Sequence, residues 1–422
     1  MESQFKKALE EVRYAHEKVP FFRRHMESAA LSPEDIVEPS DLRRIPPTSK
    51  VQYRVNFPVG VLAKGKTLKE PFSNRAQSSG TEDERLVTLC HFATLTRRMA
   101  DCLTVNPPLD RFLMRPRKLR SCSYAAPNCS DVDCANPSSM MKDRILPDGT
   151  LILPVHHDLL TTPDRLIEKA AAEIAEHQPE YFYCDPTHLA FLARALARRS
   201  VPPPPCQAIS LTYNLLTRVS RRQISSYWKG VEVSSIIAMT EFGWLGITCP
   251  RGQLHMNVRS YYLEFLVGDR PAEPGEIADL YVTSLGDTLS PHIRYHTRDH
   301  YSLTGEPCAC GHPYPVARFE GRARDTLRHA GAVLLTPRQL DQIVGEPDWL
   351  DIYQLRQVGE RQYSFRYIGN DAFEEPLAAA LKERLEQALG PGAELHMEGA
   401  RYLPAERSGK LLSCVARGRE QV

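Results

Sequence analysis

Near Arg322 the residue pattern of this 422-residue chain changes character, and that change limits the folds open to it. Before it, helical stretches such as Pro163 to His177 alternate with short apolar runs. Tyr181 to Cys184 and Val233 to Met239 are bounded by polar, Pro or Asp positions and are too short for helices, so they read as buried strands. Pro202 to Pro205 makes a rigid loop ahead of a further strand, Ala208 to Leu211. After Arg322, Tyr363, Phe365 and Tyr367 alternate as a half-buried strand, while Leu377, Leu381, Leu385 and Leu389 mark one face of a helix that Gly390-Pro391 ends. A chain this long exceeds one ordinary core and suits a large domain followed by a small one. The expectation is an α/β protein with a large multi-sheet domain over 1–322 and a small α+β domain over 323–422.

Charge and apolar patterning exclude several function classes. Lys plus Arg total 53 against 52 Asp plus Glu, which leaves no net field to draw the chain onto nucleic acid or an acidic membrane. Met1 to Val19 is charged, with Phe5, Leu9 and Val12 at helical spacing, so it reads as an amphipathic helix and not as a signal sequence. No apolar run approaches the ~20 residues of a membrane span. Eleven cysteines at scattered spacing point to reduced thiols and a cytoplasmic setting. Four positions stand apart: Cys249 and His255 form Cys-x5-His, and Cys308 with Cys310 forms Cys-x-Cys, a donor set suited to tetrahedral Zn²⁺. Four protein ligands leave no open coordination position, so this would be a structural staple, with His312 as a replacement ligand. The other seven cysteines read as buried thiols.

Two segments carry the first chemical signal, Arg294-Tyr295-His296-Thr297-Arg298-Asp299 and Gly321-Arg322-Ala323-Arg324-Asp325. An aspartate closing an aromatic-x-Thr-x-Asp run can accept hydrogen bonds from both ribose hydroxyls, and a guanidinium offers fixed donors to sugar or phosphate. Alone, either segment also reads as a surface ion pair. Further segments follow in a fixed order: Val19-Pro20-Phe21-Phe22-Arg23, Ser40-Asp41-Leu42, Ile45 to Lys50, Ser78-Ser79-Gly80-Thr81, Met239-Thr240-Glu241-Phe242-Gly243, Gly275-Glu276 leading into Val282 to Leu285, Cys308 to Gly311, and Ser408-Gly409-Lys410. With this ordered set the chain resembles, over nearly its whole length, the phenylacetate-CoA ligase branch of the adenylate-forming superfamily, which also holds acyl-CoA synthetases, peptide-synthetase adenylation domains and firefly luciferase.

The resemblance implies a role for each motif. Ser78, Ser79, Gly80 and Thr81 would begin a phosphate loop for ATP, although Glu82-Asp83-Glu84-Arg85 stands where the family usually has Thr-Gly-Lys-Pro. Those carboxylates would repel a triphosphate unless Arg85 supplies the missing cation. Thr240 would contact phosphate and Glu241 would hold Mg²⁺. Ile237-Ala238 replaces the family's aromatic-Gly, which would leave the adenine on an aliphatic surface. Asp299 and Arg322 would bind the nucleotide, and Asp325 would be the hinge of a mobile C-terminal lid. Lys410, on a turn expected to be exposed, would stabilise charge as a carboxylate attacks the α-phosphate. Tyr213, Phe242, Gly243 and Trp244, with the Cys184 to His188 segment, would line the pocket for a small aromatic acid. The zinc site would be one that this branch shares. The implied activity is ATP-dependent formation of an acyl-AMP and transfer of the acyl group to a thiol, of coenzyme A or a carrier protein, or to an amine, by a cytoplasmic protein for which a homodimer stays open. The rival readings are a degenerate ligase fold acting as a binding or scaffold partner, favoured by the acidic loop, and an ATP-independent acyltransferase.

Overall fold

The computed structural model describes residues 2–78, 85–127 and 136–418, and it divides into two compact units. One unit comprises Met1–Met114 with Ile236–Phe319, the other Arg115–Ser235 with Glu320–Val422. The change of pattern near Arg322 thus falls beside the start of the last segment. That segment is grouped with Arg115–Ser235 and has a sheet of its own.

In the first unit the helix Glu2–Lys18 buries Ala8, Val12 and Ala15 against Ile45, Leu285 and Ile293. A mostly antiparallel sheet follows. Tyr261–Val267 pairs with Ala278–Ser284, which pairs with Tyr295–Leu303, and Leu254–Met256 pairs with Gly243–Thr248, which pairs with the Ile236–Met239 end of the strand Glu232–Met239. Its core gathers Phe242, Leu245, Tyr261, Leu280, Val282 and Tyr295.

In the second unit the strands run parallel. Thr150–Ile152, Ser121–Ser123, Tyr181–Cys184, Ala208–Leu211 and the first half of Glu232–Met239 lie side by side in that order. Helices Asp164–His177, Pro186–Arg198 and Arg218–Tyr227 supply the crossovers such strands need. The four residues Ala208–Leu211 are all buried, as expected of a strand covered on both faces.

The C-terminal segment has a sheet of its own, in the order Glu394–Gly399, Gln362–Gly369, Leu350–Gln357, Cys414–Val415. Tyr363, Phe365 and Tyr367 face its core, with Leu381, Leu385 and Leu389 of the helix Glu375–Leu389. Leu377 departs from its expected place: it is 44% exposed, and Ala378 takes the buried position of that first turn. This segment packs on the parallel strands' helices. Arg222 Nη2 donates to the Leu350 carbonyl at 2.7 Å, Gln223 Nε2 to that of Asp351 at 2.9 Å, and Arg198 pairs with the Asp351 carboxylate at 2.7 Å.

Candidate active site and metal centre

The Thr-Arg-Asp motif lies on a β-bulge. Along Ala278–Ser284, Asp279 faces His300 and Tyr281 faces His296, so Thr297, Arg298 and Asp299 together stand opposite Leu280. Thr297 Oγ1 donates to the Leu280 carbonyl at 2.9 Å and accepts from the Asp299 N–H at 3.2 Å, which fixes the bulge from inside. Arg298 has φ +59° and is exposed, a left-handed conformation that costs a non-glycine residue of order 1–3 kcal/mol and clusters at functional sites. Bulges of this kind re-aim a side chain, here the half-buried Asp299. Arg294, at the head of the motif, is instead a buried strut: its Nε meets Glu264 at 2.9 Å and its Nη1 donates to the carbonyls of Arg43 and Ile45.

The same strand reaches the Thr-Glu motif. Tyr295 Oη donates to Glu241 Oε1 at 2.7 Å, and the Thr240 carbonyl accepts from Thr88 Oγ1 at 3.1 Å. Glu241 is buried and has an oriented carboxylate, so one oxygen is committed to Tyr295. Phe242, expected in the acid pocket, is fully buried in the core with its ring against Tyr261, His292 and Tyr295. Gly243, at φ +78°, and Trp244 follow it and are half-buried. Ser78 closes a hairpin, its backbone N–H donating to the Leu86 carbonyl at 2.9 Å and its Oγ accepting from the Leu86 N–H at 2.8 Å. Ser79, Gly80, Thr81 and the acidic Glu82-Asp83-Glu84 lie outside the described residues.

Cys249, His255, Cys308 and Cys310 converge, with their ligand atoms all within 4.8 Å of one another. Cys249 Sγ and Cys308 Sγ are 3.8 Å apart, and Cys310 Sγ and His255 Nε2 are 3.3 Å apart. A tetrahedron with Zn–S bonds of about 2.3 Å has an edge of about 3.8 Å, so the cluster has the dimensions of a four-ligand site. The surrounding donors fit as well. His255 Nδ1 contacts the Tyr314 carbonyl at 2.9 Å, leaving Nε2 toward the sulfurs, and the N–H groups of Cys310 and His312 point at Cys308 Sγ and Cys310 Sγ. Burial lowers the His255 pKa, which favours the neutral imidazole that a metal needs. His312 is turned elsewhere, its Nε2 3.2 Å from Thr104 Oγ1.

In the second unit Lys410 is buried at 4% exposure, contrary to the exposed turn expected from sequence. Its ammonium donates to the Tyr213 carbonyl at 2.8 Å, and Asn214 Nδ2 donates to the Leu411 carbonyl at 3.1 Å. The turn closes on itself through Gly409 N–H to Glu406 O at 2.7 Å. Gly409 has φ +81°, and a Cβ there would come within 2.8 Å of Pro127 Cδ and 3.2 Å of the His157 carbonyl, so only glycine lets the turn seat. Pro127 follows the strand Ser121–Ser123, and Tyr213, at φ +74°, follows Ala208–Leu211. The lysine therefore rests where parallel strands end at their carboxyl side, the usual place for a ligand crevice in such a sheet. Arg322 is half-buried at the end of its strand, and Gly321 before it has φ +113° with no room for a Cβ against Pro337. Asp325 is buried in the short turn Ala323–Asp325.

No protein-family profile matches the chain. A relative does: the chain is 25% identical over 415 residues to phenylacetate-coenzyme A ligase of Thermus thermophilus, an alignment covering 90% of this chain and 86% of that protein. The chain is a homologue of that ligase. Among solved structures, 2-hydroxyisobutyryl-CoA ligase in the postadenylation state superposes with a TM-score of 0.74 at 15% identity, covering 99% of this chain and 89% of that one. A benzoate CoA ligase from Burkholderia xenovorans gives 0.55 at 16% identity, over 83% and 70% of the two chains. The fold is that of adenylate-forming enzymes with a small C-terminal domain. Sequence reasoning named Tyr295 within its motif and Asp185 within the Cys184 to His188 segment but not what they meet: Tyr295 bonds Glu241, and Asp185 leaves the strand end next to that of Tyr213, which holds Lys410. Asp185-Pro186 directly after an apolar strand, a capping residue followed by proline, was the available signal for the second.

Proposed function

We propose that this protein is an acid–thiol ligase that converts a small, aromatic carboxylic acid and ATP into an acyl-AMP and then passes the acyl group to coenzyme A. The observation that carries the reading is the buried Lys410 ammonium held on the Tyr213 carbonyl at the carboxyl ends of parallel strands. A cation there stabilises the charge that accumulates when a carboxylate attacks the α-phosphate. The bulged Asp299 takes the ribose hydroxyls, Arg322 adds fixed donors, and Asp325 is the hinge of the C-terminal domain. Thr240 and the Ser78–Thr81 segment contact phosphate. Glu241 is the residue that would hold Mg²⁺, an oxygen-seeking ion whose charge would offset that of the phosphates. Tyr213, Gly243 and Trp244 are the residues that contact the acid in this reading, while Phe242 stays in the core with Tyr261, His292 and Tyr295.

Homology to the Thermus ligase and the likeness to acyl-CoA ligases support a thiol acceptor. A carrier-protein thiol and an amine are the other acceptors consistent with the same chemistry. Cys249, His255, Cys308 and Cys310 bind one structural zinc ion in this reading. Cytoplasmic localisation and a homodimer complete it; among the described residues no helix is long and apolar enough to cross a membrane. ATP–pyrophosphate exchange against a panel of aromatic and aliphatic acids is the test. Exchange strongest with arylacetic or benzoic acids is expected. Silence with every acid, relieved when Glu82-Asp83-Glu84 is changed to Thr-Gly-Lys, would identify a disabled phosphate loop, and continued silence would leave the scaffold reading.

A further inference from the structure

Lys410 shares its seat with a second buried charge. Asp185 ends the strand Tyr181–Cys184 and starts the helix Pro186–Arg198, and it is wholly buried. Its Oδ1 accepts from the N–H groups of Thr187 at 2.8 Å and His188 at 3.1 Å and lies 3.1 Å from His188 Nδ1. Its Oδ2 is buried with no hydrogen-bond partner among the described residues. Strand register brings this carboxylate to the lysine's support: Cys184 faces Leu211, and the Thr212 N–H donates to the Cys184 carbonyl at 3.0 Å. Asp185 and Tyr213 therefore leave adjacent strand ends side by side. We propose that Asp185 is a positioning residue for Lys410, a buried counter-ion that keeps the ammonium charged and seated at the strand ends.

An ionised carboxylate with an unused oxygen is costly to bury unless a cation balances it. Burial pushes Asp185 up, yet the adjacent His188, through its ring and its backbone N–H, and the Lys410 ammonium outweigh it and leave the carboxyl below the usual range. Two further carboxylates lie by the turn: Glu406, on the turn itself, is 3.9 Å from Arg324, and Asp158 Oδ2 accepts from Tyr402 Oη at 2.6 Å. Linkage then fixes the sign. A lysine stabilised by an anion has a raised pKa, so removing the anion lowers it.

As a role in catalysis this rests on the ligase reading, but the charge coupling can be measured without any turnover. Asp185→Asn keeps a good helix cap and the shape of the side chain while deleting the charge. Competitive labelling of lysines with acetic anhydride across a pH series, read peptide by peptide by mass spectrometry, should show the Lys410 midpoint falling by about one pH unit or more. Lys382, on the exposed face of the helix Glu375–Leu389 and paired with Glu386, should not move, and His188→Gln should leave the Lys410 midpoint near its wild-type value. In pyrophosphate exchange with whichever acid the wild type accepts, the alkaline limb of the rate profile should shift the same way while KM for the acid holds. An unchanged labelling midpoint in Asp185→Asn, or a shift in His188→Gln alone, overturns the proposal. Exchange that is absent in the wild type for every acid sinks the ligase reading and leaves the labelling result standing. If Asp185→Asn does not fold, the paired variant with Lys410→Met removes both charges; its folding supports the coupling, and its failure to fold overturns it.

Discussion

The Cys249–His255–Cys308–Cys310 cluster and the Lys410 seat are both polar sites sunk in the protein, yet they are assembled in opposite ways. The cluster draws Cys249 and His255 from one strand pair and Cys308 and Cys310 from one loop, whose own N–H groups are aimed at the sulfurs of Cys308 and Cys310. The lysine draws on strand ends far apart in sequence, near Pro127, Asp185 and Tyr213, and on the turn Glu406–Lys410. Local construction makes a site legible as spacing and rigid as a unit. Distributed construction makes one that exists only once the sheet is formed and the C-terminal segment has docked.

The largest effect should come from the locally built site. Cys308→Ser together with Cys310→Ser leaves two donors, too few for a structural zinc site, and the metal's binding energy is folding energy. Elemental analysis should show near-stoichiometric zinc in the wild type and none in the variant, with a thermal midpoint lowered by many degrees. Zinc retained in the double variant would remove the assignment.

Lys410→Ala tests the distributed site, with a reduction in acyl-AMP formation on the order of 10² or more. Because the residue is buried, it should also cost about 1–3 kcal/mol of stability by stranding the Tyr213 carbonyl and the Asp185 carboxylate. A stability loss with full exchange activity would make the lysine a structural group only. Asp299→Ala should act more narrowly, weakening nucleotide binding by about 1–3 kcal/mol with the melt unchanged, since the side chain is half-buried and the bulge is held by Thr297. Equilibrium dialysis with ATP or an acyl-AMP analogue decides it, and an unaltered affinity would exclude the residue.

What the sequence disclosed follows the same division. The Cys-x5-His and Cys-x-Cys spacings announced their cluster, and the alternation of Tyr363, Phe365 and Tyr367 announced a strand, because both are short-range patterns. The burial of Lys410 was not legible: Ser-Gly-Lys reads as a solvated turn, and the pocket that encloses it is formed by residues some 200 to 280 positions earlier. The bulge at Thr297–Asp299 was hidden too, since a bulge is a relation between two strands and only register reveals it. Phe242 misled for a related reason: an aromatic beside a motif can face ligand or core, and here the neighbouring Tyr261 and Tyr295 rings claim it.

The smallest effect concerns how the C-terminal segment is held on the parallel strands' helices. Arg198 pairs with Asp351 at 2.7 Å, but its side chain is 65% exposed, so solvent screens most of the attraction. Asp351 keeps other partners when Arg198 is lost: Arg194 Nε lies at 3.5 Å, and Asn370 Nδ2 donates to its second oxygen at 3.1 Å. Arg198→Ala should therefore cost no more than about 0.5 kcal/mol, fading further at high salt. Arg194→Ala should cost more, because Arg194 is largely buried and its loss also strips a donor from Gln223 and from the Asp351 carbonyl. Urea melts of both variants at two ionic strengths give the comparison. If Arg198→Ala instead cost more than about 1.5 kcal/mol, a single exposed pair would be acting as the latch, and the docking of the C-terminal segment would be locally built after all, like the cysteine cluster.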